Sequence, residues 1–127
     1  MSAHVMIVED DENVREMMDI ALSQAGYQVS AVSNGQSALD LLNRQRFQLV
    51  LLDVHMPRMN GLELLGAMRR MKTAPPVVMV SANTQGDTVR QALSLGCSGY
   101  LAKPFSPRDL VERARWAIAG PVPMTMH

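Results

Sequence analysis

A doubly wound α/β fold with a parallel sheet, (βα)5, is predicted by three observations. Apolar runs alternate five times with helical patterns along the 127 residues, as repeated βα units feeding a parallel sheet require. The run Leu49-Val50-Leu51-Leu52 is continuously apolar, which suits a central strand covered on both faces. Four of the runs stop abruptly at polar residues: Glu9-Asp10, Asp53, Ser81 and Lys103-Pro104. Parallel strands place such ends together at one edge, where open α/β sheets bind ligands.

Each element follows in order. The first strand covers 4–8. The first helix covers 12–25, with Val14, Met18, Ala21 and Ala25 on one face and Gly26 as its stop. The second strand is 28–32, and Asn34-Gly35 turns into a helix whose Ala38, Leu41 and Leu42 point inward. The third strand is 48–52. Pro57 and Asn60-Gly61 form the next loop, leading to a helix with Leu62, Leu65 and Met68 inward and Arg69 outward. Pro75-Pro76 separates that helix from a strand at 77–80. The fourth helix, about 84–95, is the weakest pattern: Gly86 sits in its first turn, and only Val89, Ala92, Leu93 and Leu95 recur. It is expected to be the most mobile. The fifth strand is 98–102. Ser106-Pro107 opens the last helix as N-cap and first helical residue, and Gly120-Pro121 ends it. Residues 1–120 then form one domain, and 121–127 a tail or the start of a linker.

Composition narrows the functional classes. Formal net charge is zero, which argues against a nucleic-acid-binding surface with its basic stripe. No run approaches 18 apolar residues, so no membrane span is expected, and no secretory leader is read at the start. Cys97 is the single cysteine; it allows no internal disulfide, fits a reduced cytoplasmic setting, and reads as a small core residue.

The strand ends carry the chemistry. Two like charges 4 Å apart repel by about 4 kcal/mol at an effective dielectric near 20, so gathering Glu9, Asp10 and Asp53 demands compensation. Lys103 supplies one cation. A hard divalent ion such as Mg²⁺ takes oxygen ligands and leaves positions open for phosphate oxygens. Asp53 closes the longest buried strand and is the best-placed nucleophile for an acyl phosphate. Lys103 suits one phosphate oxygen, and Ser81 can donate to another. Asp11 and Glu12 read as first-turn helix residues favoured by the dipole. His4 and His127 show no metal-ligand spacing.

Val8-Glu9-Asp10-Asp11, Leu52-Asp53-Val54-His55-Met56-Pro57 through Asn60-Gly61, Val80-Ser81-Ala82 and Lys103-Pro104-Phe105 together resemble a response-regulator receiver domain over about residues 4–119. The resemblance implies a CheY-like, flavodoxin-like sheet of order 2-1-3-4-5. It implies that Asp53 is the phosphoacceptor, served by a histidine kinase or a histidine phosphotransfer protein. It implies Mg²⁺, or Mn²⁺ in its place, held by Asp10 and Asp53 directly, by Glu9 through water and by the backbone carbonyl of His55. Ser81 would be the switch hydroxyl, Tyr100 the aromatic that follows it, and Lys103 the phosphate's partner. The surface of helix 4, strand 5 and helix 5 would then change for a downstream output domain or protein, or for a homodimer. His55 and Asn83 would tune the phosphoryl lifetime, and the domain would catalyse only its own phosphorylation and dephosphorylation.

The chain departs from one branch of that family. Winged-helix transcription factors usually carry an acidic pair before the strand-5 aromatic, where Ser98-Gly99 stands here, so Arg113 and Arg115 lack their usual partners. Trp116 points away from the face shared by Leu110, Ala114, Ala117 and Ile118, as an incidental residue or as a partner anchor. Three other functions compete. A flavodoxin-like nucleotide or flavin binder wants a glycine-rich cradle after the first strand, where this chain has acids. A phosphatase of the haloacid dehalogenase type wants a second Asp two residues after the nucleophile, where His55 stands. A pseudo-receiver scaffold would lack some of the phosphorylation residues, and here all are present.

Overall fold

Five strands and five helices alternate in the computed structural model, which describes residues 2–82 and 85–120. They are β1 (His4–Val8), α1 (Glu12–Gln24), β2 (Gln28–Val32), α2 (Gly35–Leu42), β3 (Leu49–Asp53), α3 (Gly61–Arg69), β4 (Val77–Ser81), α4 (Gly86–Ser94), β5 (Gly99–Ala102) and α5 (Pro107–Ala119). All strands are parallel, in the order β2-β1-β3-β4-β5. This is the doubly wound arrangement expected from the alternation of patterns, and the order reverses between β1 and β3, where such sheets open a crevice.

The sheet is covered on both sides because successive side chains point to opposite faces. Met6, Val8, Val50, Leu52, Val77 and Met79 pack towards α2, α3 and α4, with Leu64, Leu65, Met68 and Ala92. Val5, Ile7, Leu49, Leu51, Val78 and Val80 pack towards α1 and α5, with Met18, Leu22, Leu110 and Ala114. Strands β3 and β4 are buried along their whole length, which is why their sequences show no polar alternation.

Helix starts follow the local chemistry. The side chains of Asp11, Asn34, Asn60 and Ser106 each accept the backbone N–H three residues on, and Asn60 and Ser106 form capping boxes with Glu63 and Asp109. Gln85 gives α4 no side-chain cap, so this short helix starts on Gly86 without the help the others have. Ser106→Ala is expected to cost about 1 kcal/mol, seen as a lower urea midpoint with unchanged slope.

Several inward assignments need correction. Ala25 is exposed: α1 ends at Gln24, Ala25 is its C-cap, and Gly26 turns the chain away with φ 98°. The buried α1 residue that spacing passed over is Leu22. In α3, Leu62 packs against the core while partly buried, and spacing passed over Leu64, which is fully buried. Leu41 and Leu42 do face inward as expected, partly buried and packed against the core. Leu93 is 56% exposed, because α4 buries a single residue, Ala92. The boundaries shift by a residue or two: β3 begins after Gln48, β4 takes in Ser81, and β5 begins after Ser98. Helix α4 runs from Gly86, two residues after its expected start; residues 83–84, where that start fell, lie outside the described residues.

Candidate functional site

Backbone register brings the strand ends together. Val8 of β1 pairs with Leu52, and Asp53 pairs with Val80, one residue before Ser81, which pairs with Ala102. Adjacent strands lie about 4.8 Å apart, so Glu9, Asp53, Ser81 and Lys103 stand in a row along one edge. Glu9 is fixed by its N–H, which donates to the Val32 carbonyl at 3.1 Å. The N–H of Lys103 donates to the Ser81 carbonyl at 2.9 Å.

Two of the three acids are buried. Glu9 is 1% and Asp53 4% exposed, whereas Asp10 is exposed. Oxygens of Glu9, Asp10 and Asp53 lie within 4.8 Å of one another. Lys103 Nζ donates to Glu9 Oε1 at 2.7 Å and stands 3.6 Å from Asp53 Oδ2. One ammonium thus serves two carboxylates, more than the single partner expected from sequence. The Asp11 N–H donates to Glu9 Oε2 at 3.1 Å, and the His55 N–H to Asp53 Oδ1 at 3.2 Å.

Charge at this edge is only partly balanced. Burial, and then the charge of Glu9, push the Asp53 carboxyl up to about 7, against the pull of Lys103 and the His55 N–H. Burial works against the Lys103 ammonium, but its hydrogen bond to Glu9 and the nearby carboxylates outweigh this and hold it above its ordinary value. A buried acid left this reluctant to ionise is a site short of positive charge. The donor set, three carboxylates within a few ångströms, fits a hard cation of the Mg²⁺ class.

The remaining candidates fall as follows. Ser81 is fully buried at the end of β4. The His55 side chain is exposed, as expected of a loop histidine. Tyr100 is half-buried against the α3–α4 side of the core, and its carbonyl accepts from Arg113 Nη1 at 2.9 Å. Trp116 is 67% exposed and lines a groove with Tyr100, Phe105 and Arg113. Asn83 lies outside the described residues. Cys97 is half-buried, and its thiol is raised by burial.

One contributor escaped the sequence reading, and a second was read only as a turn residue. Arg15 Nη1 donates to the Glu9 carbonyl at 3.0 Å and lies 3.5 Å from that of Asp10. A cation near the positive end of a helix dipole is disfavoured, and that anomaly was visible in the sequence. The other is Gly61, whose N–H donates to the Val54 carbonyl at 2.8 Å and which lies hard against the strand bearing Asp53.

Comparison with known proteins agrees with this layout. The family model for the response regulator receiver domain matches residues 5–115. The response regulator protein FleR of Pseudomonas aeruginosa is 37% identical over 97% of this chain, which covers 26% of FleR. The response regulator SaeR of Staphylococcus aureus is 34% identical over 87% of this chain, which covers 48% of SaeR. The chain therefore spans between a quarter and a half of these relatives. Among solved structures, chemotaxis response regulator CheY4 of Vibrio cholerae superposes with TM-score 0.87 at 30% identity, covering 92% of this chain and 99% of that one. A response regulator from Chloroflexus aurantiacus gives 0.89 at 30% identity, covering 94% and 100%. Matched over most of its length in sequence and in fold, the chain belongs to the response regulator receiver domain family, the signalling switch of two-component systems.

Proposed function

We propose that Asp53 accepts a phosphoryl group from a histidine kinase or a histidine phosphotransfer protein, with Mg²⁺ (or Mn²⁺) bound beside it. The observation that carries this reading is the convergence of Glu9, Asp10 and Asp53 within 4.8 Å beside the Lys103 ammonium. Asp10 and Asp53 would hold the ion directly, with Glu9 acting through water and the His55 carbonyl as a further ligand. The ion supplies charge compensation for the phosphoryl oxygens. An Asp53 carboxylate oxygen attacks phosphorus, the bond from phosphorus to the donor nitrogen breaks, and the donor imidazole keeps that electron pair and takes a proton from water. Lys103 then pairs with the new phosphoryl group, and Ser81 donates to another of its oxygens.

The response belongs to one side of the domain. Ser81, Tyr100 and Lys103 sit on β4, β5 and the following loop, so a charge change there biases α4, β5 and α5. Exposed Leu93 and Trp116 on the flanking helices give that side apolar contacts for an output domain, a separate protein or a second copy. On this reading the domain, residues 1–120 with 121–127 leading from it, acts in the cytoplasm through protein contacts. It contacts no nucleic acid or membrane directly and turns over no separate substrate.

Acetyl phosphate tests it. Incubation with acetyl phosphate and Mg²⁺ is expected to add one phosphoryl mass, and Asp53→Ala and chelation each to abolish the gain. An adduct that persists in Asp53→Ala sinks the assignment.

A further inference from the structure

We infer that Arg15 is a positioning residue that holds the Glu9–Asp10 loop open for a divalent cation; this rests on the function proposed above. The loop between β1 and α1 carries two acids side by side, and nothing in a free chain would keep both carboxylates turned to one place. Its backbone is pinned at three points. The Glu9 N–H is tied to β2 through the Val32 carbonyl, and the Asp11 N–H to the Glu9 carboxylate. The third point is Arg15: its guanidinium reaches back from α1 to the Glu9 carbonyl at 3.0 Å and faces that of Asp10 at 3.5 Å.

The division of labour between cations is informative. Lys103 takes carboxylate oxygens of Glu9 and Asp53. Arg15 takes main-chain carbonyls and leaves the carboxylates alone. Among the described residues, the Asp10 carboxylate has no hydrogen-bond or ion-pair partner, although it lies in the acidic triad. Arg15 is half-buried and its own N–H donates to the Asp11 carbonyl at 2.9 Å, at the start of α1. A guanidinium near a helix N-terminus works against the dipole, and carbonyl acceptors offset that cost. Both contacts come from the single nitrogen Nη1, which the long side chain carries back from the helix to the two carbonyls. The result is a loop fixed by its main chain with one acid left free to bind metal.

Calorimetric titration with Mg²⁺ alone, without phosphodonor, tests this on the whole chain. Arg15→Met is expected to weaken Mg²⁺ binding about tenfold, in the range seen when groups orienting metal ligands are removed. Arg15→Lys should recover part of the loss, since one carbonyl contact can be remade. Melting in chelator should fall only slightly for both. Unchanged Mg²⁺ affinity in Arg15→Met overturns the inference, as does equal loss in both variants accompanied by an equal, large fall in melting temperature. Should Arg15→Met fail to fold, Arg15→Lys decides alone, with a loss of about threefold expected and no loss counting against. Wild-type protein that binds no Mg²⁺ sinks the functional proposal and this inference together; wild type that binds while Arg15→Met binds equally sinks this inference only.

Discussion

Gly61→Ala is expected to destabilise the domain by about 3 kcal/mol, near the upper end for overpacking, and to displace Asp53. A Cβ at this position would stand 2.3 Å from the Asp53 carbonyl oxygen and 2.8 Å from the Val54 Cα. Neither atom can retreat without straining backbone held in the sheet: Asp53 pairs with Val80, and the Val54 N–H donates to the Val80 carbonyl at 3.2 Å. Helix α3 cannot move away cheaply either. Its start is locked by the reciprocal Asn60–Glu63 capping box, and Leu64, Leu65 and Met68 are buried behind it. The melting temperature in chelator should drop by roughly 10 °C for a domain of this size. Gly66→Ala is the control within the same helix, since a Cβ there meets nothing within 4 Å; it should raise stability by up to about 1 kcal/mol. A Gly61→Ala protein that melts with wild type would show that the approach of α3 to β3 is looser than the geometry requires.

Asp53→Asn is expected to stabilise the metal-free protein above neutral pH by about 2–4 kcal/mol, the free energy of a shift of a few pKa units. The folded state pushes the Asp53 carboxyl up to about 7, through burial first and the Glu9 charge second. Its unfolded value is the ordinary 3.8. A folded pKa above the unfolded one means the native state binds the proton more tightly. This contribution to stability is therefore fully present below pH 4, declines between 4 and 7, and is lost above about 7. The asparagine variant carries no such penalty, so the difference between the two proteins should open with rising pH and close towards pH 4. Chemical denaturation in chelator at several pH values reads it directly. Added Mg²⁺ should narrow the gap by stabilising wild type at high pH, since a ligand that binds only the native state raises its stability. A gap that is constant with pH would mean that the buried carboxylate is satisfied without a cation.

Much of this was legible in the chain because of where the polar residues stand. A strand buried on both faces must be apolar throughout, so the first polar residue at its end marks the sheet edge; Glu9, Asp53, Ser81 and Lys103 were found that way. The Ser106 cap was equally plain, whereas Asn34 and Asn60, read only as turn residues, also cap helices through neighbours three residues on. Periodicity failed where an element stopped or had little to cover. Ala25 keeps helical spacing with Ala21 but sits one residue past the end of α1, and Leu93 lies beside a helix face that buries only Ala92. Contacts between distant segments were less accessible. The reach of Lys103 to two acids, 94 residues apart in one case, depends on sheet order, and the closeness of Gly61 to Asp53 depends on the path of a loop. Arg15 could have been suspected, as a cation placed where a helix dipole disfavours one.

The bond from Arg113 to the Tyr100 carbonyl constrains how the edge of the molecule can rearrange. With that peptide tethered to α5 on one side and hydrogen-bonded to β4 through its strand on the other, the phenol can turn about its Cα–Cβ bond while the ribbon beneath it stays put. Such a rotation breaks no hydrogen bond between the strand backbones. A change of ring position could then follow an event at the neighbouring strand ends without the strand itself moving.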